Sequence, residues 1–130
     1  MQTFKILTVT ALIVWTSVLT QAQTDSKHLL AQQAAQWLKT DKNVVVLDVR
    51  TPAEFRTGHL KNAVNVDYTA PDFEQQLAKL DKAKPYLLHC AVGGRSTKAL
   101  PVLQKLGFRD VRHLDGGLQA WQSAKLPVVN

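Results

Sequence analysis

After residue 27, apolar residues follow two alternating rhythms along this chain. Val44 to Asp48, Ala63 to Val66, Tyr86 to His89 and Val111 to Leu114 predict strands, the apolar run at Tyr86 to His89 being too brief for a helix. The Val-Val-Val-Leu run is apolar on both faces, as a central parallel strand is. Lys27 to Leu30 predict a short first strand. Between the runs, apolar positions recur three and four residues apart: Ala34, Ala35 and Leu38 within Ala31 to Lys39, Phe73, Leu77 and Leu80 within Pro71 to Leu80, and Ala99, Leu100, Leu103 and Leu106 within Ser96 to Leu106. That spacing gives one buried face per helix. Pro52 suits the first turn of a short helix through Phe55 to Thr57, Gly107 stops a helix, and Leu118 to Ala124 form the last one before Pro127. Strands alternating with helices predict an α/β fold, a parallel sheet with helices on both faces, and ligands beyond the carboxyl ends of its strands.

The first 22 residues do not fit this alternation. Lys5 precedes an apolar run from Ile6 to Leu19, and Thr20-Gln21-Ala22 places small residues three and one before a cut. This is the pattern of a secretory signal peptide cleaved after Ala22, with periplasmic or secreted location as its consequence. An uncleaved anchor is the alternative, but 14 helical residues span about 21 Å against a hydrocarbon core of about 30 Å. Residues 23–130 are then one domain, with no repeat, linker or low-complexity tract. Without Lys5 the chain has 15 basic and 10 acidic residues, a net charge of +5. These are scattered and lack an aromatic platform, which argues against nucleic acid and for a surface that mildly attracts small anions.

Cys90 is the single cysteine, so no internal disulfide can form, and a lone thiol in an oxidising compartment calls for an explanation. It ends the fourth strand and opens the run CAVGGRS. Gly93 and Gly94 permit positive φ, the amides of the loop can converge on an anion, and the following helix adds its positive end. A thiol in that field ionises more readily than a free one. The competing reading is a small buried hydrophobe. His28, His59, His89 and His113 lack the short paired spacing of zinc sites, so no metal is expected. Pro101 breaks the helical rule inside the helix after the loop, removing the bond to the Thr97 carbonyl at about 3 kcal/mol; a kink or an early helix end is expected there.

The loop CAVGGRS resembles the active-site loop of single-domain rhodaneses, which are sulfurtransferases. VVVLDVRTPAEFRTGHLKNAVNV and GFRDVRHLDGGLQAW are similar to further segments of that family, in order and spacing. The resemblance implies a rhodanese-like fold with a five-stranded parallel core. It also implies catalysis through a Cys90 persulfide, with Ala91, Val92, Gly93, Gly94, Arg95 and Ser96 holding the sulfur, and no cofactor. As the resemblance further implies, a loop with four residues between Cys90 and Arg95 suits a terminal sulfur rather than the tetrahedral phosphate of related, wider loops, which makes phosphatase or arsenate reductase chemistry the lesser reading. A non-catalytic module that carries sulfur to, or docks on, an exported partner is the other alternative.

In the expected reaction the thiolate attacks the outer sulfur of thiosulfate or a persulfide or polysulfide donor, and a thiol or cyanide then removes it. Arg95 either orients the donor or braces the loop. Asp48 is expected to accept from loop amides or Arg50, Arg50 to pair with Glu54 across the short helix, His59 to hold the turn after Gly58, and Asp115 to cap the last helix. Trp121 is expected in the core, and Trp37 there or half-buried. Ala91 departs from the family pattern, where a charged or polar residue often follows the Cys; this weakens the case for dianionic thiosulfate as donor.

Overall fold

A computed structural model describes residues 27–130. The expected export segment and its cleavage point lie outside the described residues. The elements are β1 (His28–Leu29), α1 (Ala31–Thr40), β2 (Val45–Asp48), α2 (Pro52–Arg56), β3 (Val64–Asn65), α3 (Phe73–Ala78), β4 (Pro85–His89), α4 (Gly94–Lys105), β5 (Asp110–Leu114) and α5 (Gly117–Ser123). The strands form one five-stranded sheet in the order β1-β5-β4-β2-β3, and every pair is parallel.

Because side chains alternate along a strand, the apolar runs feed two separate cores. Leu47, Tyr86 and Leu88 pack with Phe73 and Leu77 of α3 and Ala99 and Leu103 of α4. On the other side Val46, Leu87 and Leu114 pack with Ala31 and Ala34 of α1 and Leu118 and Trp121 of α5. Leu87 and Leu88 are neighbours in sequence, fully buried in opposite cores. Cutting either to Ala removes about 2–5 kcal/mol. Among the described residues no helix is long and apolar enough to cross a membrane.

Local details differ from the sequence expectation at two helices, α3 and α4. α2 has the expected Pro at its start, and Thr51 and Glu54 cap it reciprocally, each side chain accepting the other's backbone N–H at 3.3 Å. α3 is shorter than its apolar spacing, because Phe73 N–H closes a turn onto the Ala70 carbonyl before the helix begins. α4 begins at Gly94, two residues before Ser96, and does not end at Pro101 but continues to Lys105. Pro101 and Thr97 both lie on the exposed side of α4, where water can serve the Thr97 carbonyl that the proline leaves without an amide. The carboxyl ends of β2, β4 and β5, at Asp48, His89 and Leu114, converge on one edge of the sheet, and the loop from Cys90 crosses it.

Candidate active site

Cys90 follows β4 directly, residues 91–93 bend, and α4 starts. Gly93 precedes the helix with φ +117, which a side chain rarely adopts, although an added Cβ would meet nothing closer than the His113 ring at 3.8 Å. The backbone angle, not space, requires glycine there. Gly94 is different: it is helical, and a Cβ would meet nothing within 4 Å. Only one residue of the pair therefore uses the freedom that the sequence offers.

This bend aims donors at sulfur. Gly93 N–H lies 3.1 Å from Cys90 Sγ, and the Ser96 hydroxyl lies 3.3 Å from it. Burial pushes the thiol up, but the Ser96 hydroxyl and the N–H groups of Ser96, Gly93 and Val92 outweigh it and hold the thiol below its ordinary value. An inert core cysteine, which Cys90 resembles in being only 1% exposed, would be pushed up alone.

What keeps the bend in place is the last helix. Leu118 N–H donates to the Cys90 carbonyl at 2.9 Å and Gln119 N–H to the Ala91 carbonyl at 3.0 Å. In a trans peptide N–H and C=O point opposite ways, so drawing the Ala91 carbonyl towards α5 turns the Val92 N–H towards sulfur. The approach is so close that a Cβ on Gly117 would lie 2.5 Å from the Cys90 oxygen and 2.7 Å from the Ala91 oxygen. Gly117 also has φ +58. The sequence predicts a turn here in which Asp115 caps the last helix. Instead Gly116 caps α5, and the Asp115 carboxylate turns away to His28 Nδ1 at 2.9 Å and His113 Nδ1 at 2.7 Å.

Two arginines flank the loop. Arg50 does not pair with the Glu54 carboxylate as expected, because it precedes α2 and its side chain folds back on Asp48. Nε lies 3.0 Å from both carboxylate oxygens and Nη2 lies 2.7 Å from Oδ2. Nη2 also donates to the Gly58 carbonyl at 2.8 Å, which ties α2 to the end of β2. Arg95 takes Glu54 instead, with two bonds of 2.7 and 2.9 Å. Chiefly through that contact, Glu54 is pulled down to about 2. Arg95 therefore braces the loop, with its charge already matched.

The histidines are where sequence spacing was least informative. His59 Nδ1 bonds the Phe55 carbonyl at 2.8 Å and its ring stacks on Phe55, holding the turn as expected. His89 Nδ1 donates to the Cys90 carbonyl at 2.9 Å, and burial pushes its imidazole below the usual range. His113 Nε2 lies 2.7 Å from Ser96 Oγ, a contact between β5 and α4 that no local motif announces. His28, His113 and Asp115 bring three potential metal-ligating atoms within 4.8 Å of one another, although His28 stands 87 residues from Asp115. Their N···O separations are those of hydrogen bonds. Trp121 is buried, and Trp37 is half-buried beneath the Arg112 guanidinium, 4.2 Å from its ring centre.

Ala91 is half-buried and Val92 is 61% exposed, so the rim of the loop is apolar. The cavity bordered by Leu38, Val44, Leu60 and Trp121 lies at the amino end of β2, away from the thiol.

Comparison with known proteins identifies the family. Residues 30–124 match the rhodanese-like domain family. The chain is 34% identical over 95 residues to thiosulfate sulfurtransferase GlpE of Vibrio cholerae, covering 73% of this chain and 88% of GlpE. It is 38% identical over 91 residues to the chloroplastic thiosulfate sulfurtransferase 16 of Arabidopsis thaliana, covering 62% of this chain and 76% of that protein. Against the Mycobacterium tuberculosis protein named "probable adenylyltransferase/sulfurtransferase MoeZ", it is 34% identical over 91 residues, 70% of this chain, but spans only 23% of that protein. The crystal structure of a rhodanese-related protein from Thermoplasma volcanium superposes with a TM-score of 0.70 at 30% identity, covering 78% of this chain and 96% of that one. With fold and sequence in agreement, the chain belongs to the rhodanese-like domain family.

Proposed function

We propose that this protein is an exported sulfurtransferase that moves sulfane sulfur through a persulfide on Cys90. The observation that carries the reading is the set of donors from Val92, Gly93 and Ser96 converging on one buried Sγ. The Cys90 thiolate attacks the outer sulfur of the donor, forming an S–S bond while the donor's own bond to that sulfur breaks. With thiosulfate, sulfite leaves with the electron pair, and the negative charge passes to the terminal sulfur of the persulfide. Loop amides suit that anion as an oxyanion hole suits oxygen. A thiolate or cyanide then attacks the terminal sulfur and restores the Cys90 thiolate.

The donor is a weakly charged persulfide or polysulfide in preference to thiosulfate, because Ala91 brings no charge and Arg95 is matched by Glu54. Export rests on Lys5, the apolar run Ile6 to Leu19 and Ala22. Protein recovered from the cell envelope should begin near Gln23, and a full-length cytosolic product starting at Met1 would remove this part of the proposal.

Mass spectrometry of the purified protein after exposure to a polysulfide should find one added sulfur atom on Cys90, lost again on addition of cyanide. Iodoacetamide alkylation should titrate below the free thiol value of about 8.5. Cys90→Ser should take up no sulfur. Absence of the adduct with every donor tried would leave a docking module rather than an enzyme.

A further inference from the structure

The Ser96 hydroxyl has one hydrogen and three neighbours that can accept it: Cys90 Sγ at 3.3 Å, the Gly93 carbonyl at 3.2 Å and His113 Nε2 at 2.7 Å. Ser96 is fully buried and His113 is 3% exposed, so bulk water does not supply a substitute. The direction of that hydrogen is decided by the imidazole. A carboxylate only accepts, so His113 Nδ1 carries a hydrogen for Asp115, 2.7 Å away. When His113 is neutral, Nε2 is bare and draws the Ser96 hydrogen to itself. When it is protonated, Nε2–H donates to Ser96 Oγ and the hydroxyl hydrogen is released towards sulfur.

We infer that Asp115, His113 and Ser96 form a proton relay that sets the charge state of Cys90, with His113 as its positioning residue. The inference rests on the reading of Cys90 as the reacting thiol. In the neutral arrangement S–H donates to Ser96 Oγ and Ser96 O–H donates to His113 Nε2. Two protons moving together, from sulfur to Oγ and from Oγ to Nε2, leave a thiolate and an imidazolium, with Ser96 unchanged as a hydroxyl. No bond between heavy atoms breaks and no outside base is needed. Asp115 faces the imidazolium at the other end and stabilises it.

The surrounding charges permit this exchange. From β1, His28 Nδ1 shares the same Asp115 oxygen at 2.9 Å, with its ring centre 5.4 Å from that of His113. From the end of β4, His89 is buried, which disfavours its charged form, and Cys90 presents the sulfur itself. From β5, Arg112 turns to Trp37 and to Asp110 on the other face, with Nε 3.3 Å from Oδ1. Asp115 is the carboxylate in direct contact with His113.

Two groups linked this way must shift each other's titration equally. The histidine ring signals followed by NMR in the full chain should place the His113 midpoint about one pH unit lower in Cys90→Ala, the size expected for one hydrogen bond to a charged partner. The Cys90 alkylation midpoint should rise by a similar amount in His113→Gln, and Ser96→Ala should reduce both effects. A structural role for His113 would move neither midpoint. If His113→Gln does not fold, the Cys90→Ala arm still decides, since it leaves His113 in place. An unmoved His113 midpoint in Cys90→Ala, or an unmoved thiol midpoint in folded His113→Gln, overturns the relay. Neither arm uses a sulfur donor, so coupled titrations without sulfur uptake would overturn the sulfurtransferase reading alone. Sulfur uptake with uncoupled titrations would overturn the relay alone.

Discussion

Two arginine–carboxylate pairs stand on either side of the Cys90 loop, and their surroundings give them different work. Arg50 and Asp48 expose 4% and 0% of their side chains; Arg95 and Glu54 expose 28% and 37%. The first pair lies where either charge alone would be strongly disfavoured, so it behaves as one structural unit joining β2, the Gly58 turn and the start of α2. The second is partly wetted, and screening by water leaves it little weight in stability. Its effect is local: it fixes the loop and cancels the one cation that the loop possesses. Burial, more than geometry, separates a pair that holds the fold from one that tunes the site.

The largest expected effect comes from splitting the buried pair. Arg50→Met leaves Asp48 as an uncompensated buried charge and should cost about 3–5 kcal/mol in chemical denaturation. Adding Asp48→Leu should recover a large part of that loss, because the stranded charge is then gone. If the double variant is no better than the single one, the pair is not the unit described.

Next in size is the effect of charge on donor choice. Glu54→Gln frees the Arg95 guanidinium and Ala91→Arg adds a second cation, so each should lower the KM for thiosulfate, with the gain shrinking as salt rises. Weakly charged persulfide donors should respond far less. Equal gains for both donor classes would mean that loop packing, not charge, had changed.

The smallest effect is acid stability. Glu54 is held at about 2, below its ordinary value of 4.5, mainly by the Arg95 hydrogen bond. A depressed carboxylate stabilises the fold fully above its unfolded value and loses that contribution as pH falls through its folded value. Denaturation midpoints should therefore decline in part between pH 4.5 and 2 through this group, and Glu54→Gln should flatten that portion of the curve. A Glu54→Gln profile matching the parent over this range would show that the half-exposed pair adds nothing measurable.

The sheet was legible because its signals are local: an unbroken apolar run such as Val44 to Asp48 has few other uses, and the Cys90 loop carries its glycine and serine within a few residues. Partners far apart in sequence were not. Glu54 and Arg95 are separated by 41 residues, so the nearer Arg50 looked like Glu54's natural partner. Asp115 looked like a cap because Gly116 and Gly117 follow it, but β1 beside β5 offers it two imidazoles. Pro101 does not end α4, since the apolar face of that helix outweighs one lost backbone bond.

The contact of Gly117 with the Cys90 carbonyl has a consequence for timing. The thiol's amide donors are aimed by bonds from Leu118 and Gln119, so a nascent chain that has reached only α4 holds its cysteine without that constraint. The full set of donors around the thiol is therefore assembled only when the last helix docks, and a chain still being synthesised holds a cysteine whose loop amides are not yet aimed.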